Sequence, residues 1–260
     1  MIMQSILYTT AEGVAHITFN RPEKYNAFNR EMALKFQSCL DEAAIDDKVR
    51  SIYITGSGKA FSAGQDLDEV IDPNGPGMDK ILSEHYNPIV TRIRKLSKPV
   101  IAAVNGVAAG AGANIALCCD IIVASEKASF LQAFSKIGLI PDSSGTYFLP
   151  RLIGLQKATA FMMLGEKVSA ESAEKCGMIY KVFREDEFEK ESLAIALALA
   201  KLPTKALGYT KHLLNESLTN SFEEQLELED IFQNKAAQTK DFVEGVAAFL
   251  EKRNPIFTGE

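Results

Sequence analysis

Short apolar runs of strand length alternate with longer stretches of helical period along most of this chain. Residues 6–10 and 14–20 predict a hairpin, and residues 51–55, 99–104 and 121–124 predict buried strands. Asn29 is a plausible cap for a helix that ends near Ile45. The residues spaced to form its buried face are Met32, Phe36, Cys39, Leu40 and Ala43. Residues 78–96, 158–164, 170–176 and 188–201 predict further helices.

Turn-forming residues separate these elements. Glycine and polar residues predict a loop at residues 56–68, a surface loop at 72–77 and another loop at 138–150. Beyond residue 202 the pattern contains helices alone, at residues 204–218, 221–239 and 241–252. The chain is therefore predicted to be α/β, with a core at residues 1–202 and a helical C-terminal domain at 203–260. The tail cannot bury its apolar face alone, so it should pack on the core or on another subunit.

Composition narrows the class of protein. The 260 residues are 47% hydrophobic and 24% charged, with a net charge of −6 and no strongly basic run, which argues against nucleic acid or a membrane surface as a partner. No apolar stretch is long enough to span a membrane, and the N-terminal residues do not form a signal-peptide pattern. The four cysteines lack CxxC spacing, as expected for reduced thiols in a cytoplasmic protein.

The most distinctive stretch is residues 98–120, KPVIAAVNGVAAGAGANIALCCD. A buried strand ends at Asn105-Gly106, and small residues then open a helix whose first N–H groups lack partners within the helix. A ligand could approach those groups closely, which predicts an anion or oxyanion site. The alternative is a small-residue helix packed tightly on a neighbour. Phe61-Ser62-Ala63-Gly64 repeats the design, so two N–H groups could meet as an oxyanion hole.

Three motifs carry a resemblance that covers nearly the whole chain: FSAGQDLDEV, KPVIAAVNGVAAGAGANIALCCDI and IGLIPDSSGTYFLPRLIG. With NRPEKYNAFN, LGEKVSAESAEKCGMI and AAFLEKRNPIF, they resemble the crotonase superfamily of enoyl-CoA hydratases and isomerases. The resemblance implies a spiral of ββα turns followed by a helical trimerisation domain. It also implies acyl-CoA thioester substrates, no cofactor besides the CoA that the substrate carries, and a homotrimer or dimer of trimers.

By motif position, the resemblance implies that the backbone N–H groups of Ala63 and Ala111 are the oxyanion donors. It further implies a set of residues that border the CoA-binding site: Lys24, Ala27, Gln65, Asp66, Leu67 and Gly110. Phe249 and Lys252 match positions that reach the adenine end of CoA in a neighbouring subunit. Lys252 fits an ordinary solvated charge equally well.

The acid and base positions depart from the hydratase pattern. Family hydratases use two glutamates to hold and activate water, whereas Asn114 and Phe134 occupy those positions here. Asp142 is the carboxylate that remains in a motif position, and some isomerase branches carry their acidic residue there. The segment PDSSGTYFLPRL most resembles the branch of ring-1,2-epoxyphenylacetyl-CoA isomerases of phenylacetate breakdown, which is also credited with moving enoyl-CoA double bonds.

One carboxylate suits isomerisation, because the same base can remove a proton and return it two carbons along a dienolate. Asp142 lies among apolar residues in the sequence, so burial should raise its pKa. Considered by spacing alone, Asp142 would be a turn residue capping a helix at 143–152. His16, His85 and His212 have no partner spacing, and no metal site is predicted.

Several readings stay open from the sequence. The leading one is an acyl-CoA isomerase that shifts a double bond or rearranges the ring epoxide to an oxepin. A hydratase-like or dehalogenase-like enzyme, or an acyl-CoA-binding oligomer without turnover, are the alternatives. The motifs do not fix the acyl group; its pocket is expected to include residues 72–78, Leu131, Ala133 and Tyr147.

Overall fold

The computed structural model describes residues 4–260; residues 1–3, which belong to the N-terminal stretch considered above, lie outside the described part. Its ten strands are β1 Ile6–Ala11, β2 Val14–Phe19, β3 Ser51–Gly56, β4 Ala60–Ser62, β5 Val100–Val104, β6 Val107–Ala109, β7 Ile121–Ser125, β8 Ser129–Leu131, β9 Lys167–Ser169 and β10 Lys181–Phe183.

The helices of the described chain are α1 Arg30–Ile45, α2 Leu67–Ile71, α3 Gly77–Lys80, α4 Asn87–Lys95, α5 Ala111–Leu117, α6 Gly145–Ile153, α7 Leu155–Leu164, α8 Ala170–Lys175, α9 Phe188–Ala200, α10 Thr204–Glu216, α11 Phe222–Ala237 and α12 Lys240–Glu251. A π-helix, Ile81–Tyr86, joins α3 to α4. Two short 3-10 helices span Pro22–Lys24 and Ala133–Ile137.

Two sheets build the core as a spiral. The larger has the order β1-β2-β3-β5-β7-β10, parallel except for the β1–β2 hairpin, and the smaller has the order β4-β6-β8-β9. The chain adds one strand to each sheet in turn, first β3 and β4, then β5 and β6, then β7 and β8. This arrangement confirms the predicted α/β class and the spiral of ββα turns.

The core forms where the hydrophobic pattern predicted it. The side chain of Asn29 accepts a hydrogen bond from the N–H of Met32 and caps α1, whose predicted apolar face is buried. The Phe19 ring packs edge-on against Phe28, Phe36 and Phe61, with ring centroids 5.0 to 5.1 Å apart. The contact with Phe61 holds β4 against this core, next to the Ala63–Asp66 segment that follows it.

Two predicted loops contain regular structure. Residues 56–68 include strand β4 and the start of α2, and residues 138–150 include most of α6. Pro150 lies inside α6, which explains why that segment reads as a loop in sequence. Five strands, β4, β6, β8, β9 and β10, went unpredicted because each has three residues, too few to show alternation.

From Thr204 to Glu251 the chain forms helices α10, α11 and α12 and no strand, as predicted. Helix α10 packs so closely on the core that a Cβ on Gly208 would lie 2.4 Å from the carbonyl oxygen of Ser97. Lys211 is buried there, with its Nζ 2.8 Å from Asp120 Oδ2. No helix in residues 4–260 is long and apolar enough to cross a membrane.

Candidate active site

The small residues of α5 allow two elements to approach closely. A Cβ on Gly112 would lie 2.5 Å from the carbonyl oxygen of Ser62 and 2.7 Å from its Oγ, so strand β4 leaves no room for a side chain there. Gly110, directly before the helix, has φ 52° and ψ −128°, a conformation suited to glycine. The tight packing considered as the alternative is thus present, and it holds the start of α5 beside β4.

The backbone hydrogen bonds correct one of the two predicted donors. The N–H of Ala63 donates to the carbonyl oxygen of Tyr25 at 2.9 Å, so it is not free to bind an oxyanion. The prediction for Ala63 is therefore wrong in this structure. By contrast, within residues 4–260 no acceptor is found for the N–H groups of Gln65, two positions later, and of Ala111, the first residue of α5.

The bridge between Phe28 and Gln65 explains why that N–H is free. Phe28 N–H donates to Gly64 O at 2.7 Å and Asp66 N–H donates to Phe28 O at 2.8 Å. In such a parallel bridge the N–H of the central residue points away from the partner strand. Gly64 brings this segment against α5, since a Cβ on it would lie 3.2 Å from Ala111 N.

The π-helix supports Gln65 from the other side. The Tyr86 hydroxyl, which is fully buried, donates to Gln65 Oε1 at 2.9 Å. Burial raises the pKa of Tyr86 well above its ordinary value, and the negative charge of Asp142 is the next cause. Tyr86 therefore stays protonated and keeps its hydrogen bond to Gln65. No sequence signal pointed to Tyr86.

Asp142 lies on a cavity of about 330 Å³. The cavity is lined chiefly by apolar side chains and the Asp142 turn: Met78, Leu82, Leu139, Ile140, Pro141, Ser143, Ser144 and Thr146, with Asn87. Burial raises the pKa of Asp142, while a hydrogen bond from Ser143 Oγ to Asp142 Oδ1, 2.8 Å long, opposes the rise. The direction agrees with the prediction. Among the predicted wall residues, Met78 lines this cavity, whereas Tyr147 lines a different one.

The alternative reading of Asp142 as a helix cap is wrong. Helix α6 is preceded by Ser144, which has φ 66° and makes no side-chain cap, and Asp142 lies two residues earlier. The Asp142 carboxylate bonds to Ser143 instead. Asp142 therefore does not cap α6, and it lines the cavity.

The two residues in the hydratase glutamate positions are buried. Asn114 lies one turn after Ala111 on α5 and has no exposed surface, and its Nδ2 donates to the backbone carbonyl of Asp142 at 2.9 Å. The Phe134 ring lies 3.7 Å from where a Cβ on Gly110 would be. Asn114 therefore links the start of α5 to Asp142, and neither residue supplies a carboxylate.

The CoA-bordering residues predicted between Lys24 and Leu67 lie close together. Arg21 joins two of them, because its guanidinium donates to Ala27 O at 2.5 Å and pairs with Asp66 at 2.9 Å. Lys24 Nζ lies 2.6 Å from Asp68 Oδ2. Leu67 is half-exposed at the start of α2. These ion pairs account for Asp66 and Asp68, and no metal-binding cluster of His, Cys, Asp or Glu occurs in residues 4–260.

Phe249 and Lys252 lie apart from this cluster. Both are exposed at the end of α12, and Phe249 keeps 82% of its surface accessible. In the described chain, neither forms a side-chain hydrogen bond or an ion pair with the residues around Asp142. A larger cavity, of about 1300 Å³, is lined by residues of the core and of the C-terminal helices and does not include Asp142.

Comparison with known proteins identifies relatives along the full chain. Residues 9–260 match the family model for enoyl-CoA hydratase/isomerase. The chain is 46% identical to 1,2-epoxyphenylacetyl-CoA isomerase of Escherichia coli (strain K12) and 42% identical to a probable enoyl-CoA hydratase of Rhodobacter capsulatus, each over 100% of both chains. A crystal structure of a putative enoyl-CoA hydratase/isomerase from Mycobacterium abscessus superimposes with a TM-score of 0.92 at 35% identity, covering 98% of this chain and 100% of that one.

Proposed function

The chain belongs to the enoyl-CoA hydratase/isomerase family, and within that family we propose that it is an acyl-CoA isomerase with Asp142 as its single acid–base residue. The observation that carries the proposal is that Asp142, whose pKa is raised by burial, lies on the cavity, while the two positions where hydratases have glutamates hold Asn114 and Phe134. Asn114 has both polar atoms of its side chain engaged, and Phe134 cannot move a proton. A fixed, activated water would need at least one of them.

In the proposed mechanism, the N–H groups of Gln65 and Ala111 bind the thioester carbonyl oxygen. As negative charge develops on that oxygen, the adjacent carbon becomes acidic and Asp142 removes a proton from it. The resulting dienolate is held by the same two donors. Asp142 then returns the proton two carbons along, so the double bond moves and no atom is gained or lost.

The E. coli relative's name supports a second reaction of the same class, the rearrangement of a ring 1,2-epoxide thioester to an oxepin. This is also an isomerisation, and the oxyanion donors would hold the thioester in the same way. The apolar cavity beside Asp142, about 330 Å³ in volume, is compatible with a ring or a short acyl chain. No cofactor is needed for either reaction, because CoA arrives with the substrate.

Binding of CoA is proposed at the cluster of Lys24, Ala27, Gln65, Asp66 and Leu67, with Gly110 beneath the thioester. The exposed side chains of Phe249 and Lys252 support a role in a neighbouring subunit's site, and α11 has no buried residue of its own in the described chain. A trimer or dimer of trimers would cover these surfaces. Light scattering with size-exclusion chromatography tests it, and a protomer mass would contradict it.

A substrate panel tests the proposed reaction. Purified protein is given a 3-enoyl-CoA, a 2-enoyl-CoA in water, the ring-epoxide thioester and a haloaryl-CoA. We expect double-bond migration or epoxide rearrangement without formation of a 3-hydroxyacyl-CoA. Efficient hydration of the 2-enoyl-CoA would contradict the proposal and favour a hydratase, halide release from a haloaryl-CoA would favour a dehalogenase, and binding with no turnover would favour a non-catalytic protein.

A further inference from the structure

Asn114, on α5, is a buried polar side chain held by hydrogen bonds at both of its polar atoms. It has no exposed surface, its Nδ2 donates to the Asp142 carbonyl oxygen at 2.9 Å, and its Oδ1 accepts from Gln132 Nε2 at 2.8 Å. A carbonyl oxygen accepts hydrogen bonds and cannot donate them, so the amide nitrogen of Asn114 has to face Asp142. The donor from Gln132 stabilises that orientation from the opposite side.

The segment that Asn114 holds has an unfavourable backbone. Ser143 and Ser144 follow Asp142 with φ values of 49° and 66°, in the left-handed region that residues other than glycine rarely adopt. Such conformations persist where the surrounding structure enforces them. The Asp142 carbonyl accepts two hydrogen bonds, one from the Gly145 N–H at 2.8 Å within the turn and one from Asn114 on a separate helix.

Close packing supports the same contact. A Cβ on Gly145 would lie 2.3 Å from Asn114 Nδ2, 2.5 Å from its Cγ and 2.6 Å from its Oδ1. The glycine is needed for this approach and not for its φ, which is not positive. The start of α6 therefore rests directly on the Asn114 amide.

We infer that Asn114 is a positioning residue, which clamps the Asp142–Ser144 turn to α5 and so fixes the carboxylate relative to the oxyanion donor Ala111. The inference rests on the proposed role of Asp142 as the base. A carboxylate at position 114 would place an oxygen against the Asp142 carbonyl and repel it, so the amide is specifically required. The replacement of the hydratase glutamate thus removes water activation and supplies the clamp in one change.

Two substitutions test the clamp. Asn114→Asp keeps the shape but replaces the donor by an oxygen, and Asn114→Ala removes both hydrogen bonds. For each we expect kcat on a 3-enoyl-CoA to fall about 10- to 100-fold, as for a misplaced catalytic group, with KM within about threefold. A matched control is Asn215→Ala, away from the Asp142 cavity. It likewise removes two amide hydrogen bonds, one that Asn215 Nδ2 donates to the Arg94 carbonyl oxygen at 3.1 Å and one that Asn215 Oδ1 accepts from the Arg94 guanidinium. Its kcat should stay within about twofold of the parent's.

The close packing of Gly145 on Asn114 allows a second, independent test of the clamp. Gly145→Ala should lower kcat by a similar factor, because its methyl group displaces the Asn114 amide. In the double variant Asn114→Ala/Gly145→Ala the methyl group has room, so the two losses should be clearly less than multiplicative. Melting curves confirm that each variant is folded at the assay temperature.

The outcomes separate this inference from the proposed function. If Asp142→Asn keeps the parent kcat, the base assignment is wrong. If Asp142→Asn is inactive while folded Asn114→Ala and Asn114→Asp keep the parent kcat, the base stands and the clamp is wrong. A rise in KM with an unchanged kcat would equally overturn the clamp, since it would assign Asn114 to binding.

Discussion

Gly64→Ala is the substitution that tests the oxyanion donors most selectively. Gly64 has φ +92°, and an added Cβ would lie 2.8 Å from the carbonyl oxygen of Ala109 and 3.2 Å from the N atom of Ala111. The first distance is too short for any Cβ, so the backbone has to move. That movement separates the Gln65 segment from the start of α5 and shields the Ala111 N–H with a methyl group.

Two effects of different size follow from this geometry. An alanine in the left-handed region costs of the order of 1–3 kcal/mol of folding stability. Loss of one oxyanion donor costs about 10²- to 10³-fold in kcat, equivalent to about 3–4 kcal/mol in the transition state. The expected result is a moderately less stable protein whose kcat on a 3-enoyl-CoA falls by at least two orders of magnitude.

A matched control removes the contribution of backbone strain. Gly177 has φ +77°, and a Cβ there would meet the Leu152 carbonyl oxygen at 3.6 Å, an ordinary contact. Gly177→Ala should lose comparable stability and keep kcat within about twofold. Steady-state kinetics and thermal unfolding on both variants make the comparison. A folded Gly64→Ala protein with the parent kcat, or an equal loss of kcat in Gly177→Ala, would refute the assignment of these donors.

Two further substitutions test the base and the attachment of the C-terminal helices. Ser143→Ala removes a hydrogen bond that stabilises the ionised carboxylate, so it should raise the pKa of Asp142 further. Because the base acts in its ionised form, the acidic limb of the kcat/KM profile should move to higher pH. A shift to lower pH would contradict this. Asp120→Asn leaves the buried Lys211 charge without its partner and should lower the free energy of unfolding, measured by chemical denaturation, by about 3–5 kcal/mol. Asp186→Asn, in an exposed ion pair, should lower it by less than about 1 kcal/mol. Equal effects would contradict the role assigned to burial.

The sequence predicted the long elements because their periodicity is itself a consequence of burial. The face of α1 from Met32 to Ala43 and the strand β5 carry apolar residues at every position that the core requires. The three-residue strands are held by neighbouring strands, β10 in the first sheet and the others in the second, and no local pattern could reveal them. Helix α6 was obscured because Pro150 lies inside it.

The site was predicted in part for the same reason. Motif spacing led to Asp142 and to the start of α5, where the backbone design is local. The second donor that we propose, Gln65, lies two residues from the predicted Ala63, because the pairing of Ala63 with Tyr25 joins segments that are distant in sequence. Tyr86 and the clamp by Asn114 likewise depend on contacts between elements, which composition and spacing do not encode.

The most direct test of the central claim is the rate of double-bond migration in a 3-enoyl-CoA catalysed by Asp142→Asn. Asparagine keeps the size and the hydrogen bonds of the turn but cannot accept and return a proton. With the variant folded and binding the thioester normally, we predict a fall in kcat of at least about 10²-fold, within the range for loss of a general base. Migration at the parent rate would contradict the account.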